Sequence, residues 1–139
     1  MKAFLPAKTA VLSLTLLALL GSSGCAAPIA GRWQGTADVG PIKAFDLRLE
    51  VSGDGKSGRI AVQDGSPGAH DLCRIEVNGR DVELEYDVAQ PTCRSEEGKP
   101  SERRRLRGTV GEGLVFGEVL QGSQRIGFFR AYLAAAEPQ

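Results

Sequence analysis

The chain has 139 residues, with 17 Lys and Arg against 17 Asp and Glu, and a single histidine. That balance leaves no basic surplus and excludes general nucleic-acid binding, which needs a positive surface. The length allows one small domain, and 18 glycines suit many turns around a modest core.

The first residues stand apart from the rest. Lys2 and Lys8 lead into an apolar run over 10–20, which ends in Gly21-Ser22-Ser23-Gly24-Cys25. A run of about eleven apolar residues is too short for a membrane span, which needs roughly twenty, so the segment reads as a secretory leader. Its end resembles a bacterial lipobox. Ser23 and Gly24 are the small residues before Cys25, and Ser22 stands where the family usually has Leu. The resemblance implies cleavage before Cys25 and a lipid anchor on it, hence a cell-envelope protein held to the membrane. Ala26, in place of Asp, implies the outer membrane, facing the periplasm, if the host is Gram-negative. Losing the leader removes two of the 17 basic residues and no acidic one, so 15 basic face 17 acidic.

Beyond residue 28 no segment keeps a helical period. Short stretches alternate apolar and polar residues, with Gly, Asp, Asn or Pro between them. Strands are expected over 31–39, 43–52, 57–63, 71–77, 81–88, 103–110, 114–121 and 125–133. In the second, Phe45, Leu47, Leu49 and Val51 share one face while Asp46, Arg48 and Glu50 share the other. Gly53-Asp54-Gly55-Lys56 lacks the spacing and final glutamate of a calcium loop and reads as a hairpin turn. Gly111-Glu112-Gly113, with no helix after it, reads the same way.

Asn78-Gly79 predicts a type I′ turn, because both central positions need positive φ. That turn sets Val77 opposite Arg80, Ile75 opposite Val82 and Cys73 opposite Leu84. It also sets the like charges Glu76 and Asp81 face to face. The next strand carries an outward acidic row, Asp81, Glu83, Glu85 and Asp87. Arg103, Arg105 and Arg107 form a basic row two strand-lengths on. Antiparallel pairing would turn these rows into a cross-strand ladder rather than a phosphate site.

With Cys25 acylated, Cys73 and Cys93 remain. An even pair in an oxidising compartment is expected to form a disulfide, here closing a loop of about twenty residues. Cys73, Cys93 and the one histidine, His70, make a poor zinc set. His70 reads as a loop residue, with no Gly-x-Ser-x-Gly elbow and no free thiol to serve as its nucleophile. No metal, no cofactor and no catalytic residue is expected. Phe116, Phe128, Phe129 and Tyr132 read as core. The long loop 89–102, with Glu96, Glu97 and Lys99, is the expected place for a partner contact.

Eight strands joined mostly by short turns predict an all-β, eight-stranded, antiparallel up-and-down barrel that closes, which removes exposed edges. Its interior is either filled or holds one small ligand. Gly31 and Trp33 form a Gly-x-Trp that resembles the opening motif of lipocalin-like barrels. That resemblance implies a tryptophan closing one barrel end against an arginine of the last strand, here Arg130. Trp33-Gln34-Gly35 is also similar to small Trp-x-Gly β-domains of bacterial envelope proteins. Ala30-Gly31-Arg32-Trp33 resembles the opening of secreted small-barrel protease inhibitors, whose cysteines usually lie nearer the domain start. The expected organisation is a leader over 1–24, a lipidated tether over 25–30, the barrel over 31–134 and a tail over 135–139. The expected function is non-catalytic binding of a small apolar ligand, a lipid or an envelope protein, with protease or hydrolase inhibition as the alternative.

Overall fold

The structure, a computed structural model, describes residues 27–63, 68–94 and 101–135. The leader, Cys25, Ala26, Glu96, Glu97 and Lys99 lie outside the described residues. Eight strands follow in chain order: β1 (Gly31–Val39), β2 (Ile42–Val51), β3 (Gly58–Val62), β4 (His70–Asn78), β5 (Asp81–Asp87), β6 (Arg103–Val110), β7 (Leu114–Gln121) and β8 (Gln124–Ala135). Each pairs antiparallel with the next and β8 returns to β1, so the sheet closes into a barrel in the expected up-and-down order. The period-two pattern supplies the reason. A sheet with one oily face and short turns buries that face most fully by curling onto itself.

Inward residues come from alternate positions. Trp33 and Ala37 on β1, Leu47, Leu49 and Val51 on β2, Val82, Leu84 and Tyr86 on β5, and Val115 and Val119 on β7 belong to one continuous buried core. Gly108 and Gly117 face each other across β6 and β7, and Phe129 lies opposite Gly117 on β8. A Cβ on Gly108 would meet the Phe116 carbonyl at 2.4 Å and the Phe129 ring at 2.9 Å. The glycine pair therefore lets three backbones crowd beneath one aromatic ring.

Strand alternation puts the start of β1, the end of β8 and the turns after β2, β4 and β6 at one end, called proximal here. The turns after β1, β3, β5 and β7 lie at the distal end. Residues 27–30, expected as part of a free tether, dock onto the proximal end. The Ala27 N–H donates to the Gly53 carbonyl at 3.1 Å, Ile29 is fully buried, and the Trp33 indole N–H donates to the Ile29 carbonyl at 2.9 Å.

The β4–β5 hairpin corrects the expected register. The closing pair is Asn78 with Asp81, followed by Val77 with Val82, Glu76 with Glu83 and Ile75 with Leu84. The loop is therefore Gly79-Arg80, and glycine alone in it has positive φ, at 65°. That fits a type II′ turn, which asks for glycine only at its first central position. The type I′ alternative would force asparagine into the left-handed region as well. From Arg74 to Asn78 a slip of two in the pairing sum keeps each side chain on its expected face. A bulge at Cys73 then flips the alternation, so Leu72 and His70, and not Cys73, continue the inward row.

The barrel is least complete between β3 and β4. Among the described residues, Arg59 with Asp71 and Ile60 with His70 are the two pairs across that seam, against seven between β5 and β6. β4 runs on for seven residues beyond its last partner in β3.

Candidate binding surface

Three places gather side chains with chemistry: the distal interior, the charged outer wall over β5 and β6, and the outer wall over β7 and β8. In the distal interior His70 is not a loop residue. It is the first residue of β4 and is only 2% exposed. Its Nδ1 lies 2.8 Å from the Gln90 carbonyl. A carbonyl only accepts, so Nδ1 donates there. Nε2 is buried with no hydrogen-bond partner among the described residues, and the ring tilts against Tyr86 at 5.7 Å between centroids. A histidine sealed this way fixes a loop to the barrel floor.

Arg104, which carries no expectation from the motifs, also points inward. It shares a face with Leu106, is 7% exposed, and donates through Nε to the Gln121 side chain at 3.1 Å. Gln121 in turn donates to the Arg103 carbonyl at 3.0 Å. Alternation around Leu106 was the signal that places Arg104 inside. Its partners lie on other strands, beyond the reach of local pattern. Among the described residues no group of three or more His, Cys, Asp or Glu is arranged to hold a metal ion.

The loop after β5 is pinned at several points. Cys73 and Cys93 form the expected disulfide. The Asp71 N–H donates to the Pro91 carbonyl at 2.9 Å. Asp87, the last residue of β5, accepts from the Ala89 N–H at 2.9 Å, the Glu102 N–H at 3.2 Å and the Ser101 hydroxyl at 2.8 Å. Burial pushes the Asp87 carboxyl up. The Ser101, Glu102 and Ala89 hydrogen bonds and the nearby Arg103 guanidinium outweigh it and hold the group below the ordinary aspartate value.

The acidic and basic rows form the expected ladder. Asp87 pairs with Arg103, Glu85 with Arg105 and Glu83 with Arg107 along the backbone. Side chains reach diagonally as well: Arg103 to Glu85 at 3.2 Å, and Arg105 to Glu83 at 2.9 Å. The arginine run is therefore committed to its neighbours.

The wall over β7 and β8 differs. Phe116, Phe128 and Tyr132, expected in the core, point outward and are 48%, 52% and 54% exposed. Of the four aromatics read as core, Phe129 alone is buried. Phe129 and Ala131 take the inward positions on β8, so Phe128, Arg130 and Tyr132 must face out. Arg130 sits between Thr36 on β1 and Phe116 on β7. Trp33 points inward and is 3% exposed. The two lie on opposite faces of the wall, and the expected closure of Arg130 over the indole is not made. Arg125 instead covers Phe128, at 4.8 Å from the ring centroid. Phe116 and Phe128 border a shallow open hollow of about 450 Å³ with Thr36, Asp38, Glu118 and Arg130. A somewhat larger open hollow, about 540 Å³, lies where β3 and β4 part. It is lined by charges already paired, Arg32 with Glu50 and Arg59 with Asp71.

Compared with protein-family models, curated proteins and solved structures, the chain matches none of them. The barrel is thus established by its own geometry, and no family membership follows.

Proposed function

We propose that this chain is an envelope lipoprotein whose lipocalin-like barrel is a non-catalytic binding module for a protein partner, engaged on the β7–β8 wall. One observation supports it above others. The inward apolar side chains are used in a single core, while Phe116, Phe128 and Tyr132 stand half exposed together outside. A small apolar ligand in the barrel would have to displace that core. An outward aromatic group around an arginine has the composition of interface hot spots. The envelope location, with the outer membrane as the site in a Gram-negative host, rests on Ser23-Gly24-Cys25 and its likeness to a lipobox.

Two measurements test the reading. A photo-crosslinking residue in place of Phe128 in native envelopes should give a discrete protein adduct, and one in place of Arg48, on the β2 wall, should not. No adduct at either position, or the same adduct at both, would overturn the site. Cys25→Ser should release the protein from membranes, and continued retention would overturn the anchor.

Arg94 favours a second reading, inhibition of a protease. It is exposed and adjoins Cys93, which the disulfide ties to β4. Stoichiometric inhibition of a trypsin-like protease, lost in Arg94→Ala, would support it; an unaffected protease would remove it.

A further inference from the structure

Among the described residues, the proximal half of β4 presents an unpaired strand edge. In a two-residue hairpin the closing pair exchanges both hydrogen bonds, so Asn78, Glu76 and Arg74 direct their backbone groups at β5. Ile75 and Val77 then direct theirs to the other side. The Arg80 carbonyl accepts from the Val110 N–H at 2.8 Å, which fixes the same alternation on β5. Asp71, opposite Arg59, is the last β4 residue paired with β3, so among the described residues no strand meets Ile75 or Val77 on that side. Their side chains pack against the core yet remain half-buried. Exposed edges are ordinarily blunted by proline, charged side chains, a bulge or an inward charge. The segment Cys73-Arg74-Ile75-Glu76-Val77 has no proline and no inward charge; its bulge, at Cys73, lies at the start of the segment, and its outward charges, Arg74 and Glu76, are of opposite sign.

We infer that this edge pairs with the same edge of a second copy of the chain, antiparallel, about a two-fold axis through Ile75. Charge complementarity singles out that occupant. With Ile75 opposite Ile75 of the second copy, Arg74 stands opposite Glu76 of that copy, and Glu76 opposite its Arg74. Both side chains lie on the outward face, where they now pair along the strand at 2.7 Å. Ile75 opposite Ile75 is the hydrogen-bonded pair, because its backbone groups point to the edge. The Arg–Glu pairs fall at the non-hydrogen-bonded positions, where side chains approach more closely. A two-fold axis makes this contact isologous and closed, so it yields dimers and not filaments. The short edge makes the association weak in dilute solution and favoured when copies share a membrane.

The test is sedimentation equilibrium of the full-length chain in density-matched detergent. A reversible monomer–dimer equilibrium is expected. Arg74→Glu alone and Glu76→Arg alone each place like charges across the axis and should weaken it about ten-fold. The double variant, Arg74→Glu with Glu76→Arg, restores the opposite signs and should recover the wild-type constant. Ile75→Cys gives an independent readout, since the two thiols would meet on the axis and oxidise to a covalent dimer. A chain that stays monomeric and gives no Ile75→Cys crosslink overturns the inference. So does a dimer indifferent to both single variants, or one that the double variant fails to restore.

Discussion

Removing the disulfide is the perturbation whose cost follows most directly from the structure. Cys73 and Cys93 are separated by 20 residues. In the chain-entropy treatment, closing a loop of that length removes about 11 cal/mol/K from the unfolded chain, or about 3.3 kcal/mol at 25 °C. The replacement Cys73→Ala with Cys93→Ala leaves the other restraints of the loop in place: the Asp71–Pro91 hydrogen bond, the His70 ring on the Gln90 carbonyl and the three bonds into Asp87. The barrel should therefore still fold, with roughly 3 kcal/mol less stability by urea denaturation. Hydrogen exchange adds a local readout. The Asp71 amide, which donates to the loop, should lose protection beyond the global change. The Leu84 amide, in the centre of β5, should lose only the global amount. A loss below about 1 kcal/mol would refute the entropic argument. Unchanged relative protection at Asp71 would refute the idea that the bridge pins the loop.

Two further outcomes follow from single residues. The depressed Asp87 carboxyl contributes stability that is fully present above the unfolded aspartate value, near 3.9, and is lost as pH falls through its lower folded value. Asp87→Asn should cost about 1–3 kcal/mol at pH 7 and flatten the fall in stability below about pH 4, measured by denaturation as the pH is lowered. An unchanged acid limb would show that other carboxyls carry it. Ala44 is held at φ 63°, where its N–H reaches the Asp38 carboxylate at 2.9 Å. A left-handed alanine is strained by about 1–2 kcal/mol, so Ala44→Gly should raise stability by up to about 1 kcal/mol after the added unfolded-state entropy. A loss on that substitution would contradict the strain.

The fold was legible because period-two alternation and turn residues agree along the chain. β1, β6 and β7 have the bounds that pattern alone predicts. The ladder was legible for the same reason, since alternate Glu and Arg positions on consecutive strands must meet if the strands pair. What failed depended on a choice between two physically adequate options. Asn78-Gly79 and Gly79-Arg80 both make tight turns, and only the closing pair distinguishes them. On β8 the stretch Phe128-Phe129-Arg130-Ala131-Tyr132 has aromatics on both faces, so composition could not say which face was core. The small size of Ala131, tight against Gly35, decides it: a Cβ on Gly35 would lie 2.6 Å from the Ala131 Cα. The inward role of His70 was illegible because its partner, the Gln90 carbonyl, is twenty residues away in a loop.

The two outer walls invite opposite conclusions from sequence and from geometry. In sequence the arginine run is conspicuous and the aromatics of β7 and β8 look like interior. In space each outward arginine of the run already has an acid: Arg103 reaches Glu85 and Asp87, while Arg105 and Arg107 reach Glu83. An added anion there would compete with carboxylates already in place, and such a site would also carry an acidic row beside it. Phe116, Phe128 and Tyr132 have the reverse condition. Their backbones are fully paired within the barrel, while about half of each side chain stays in water. Covering that apolar surface is favourable at about 25 cal/mol per Å², whereas exposed charge pairs return little. Exposed hydrophobic residues scattered singly need no explanation, but three aromatics beside one arginine on neighbouring strands form a patch. The aromatic wall, and not the arginine ladder, is therefore where a partner gains most by binding.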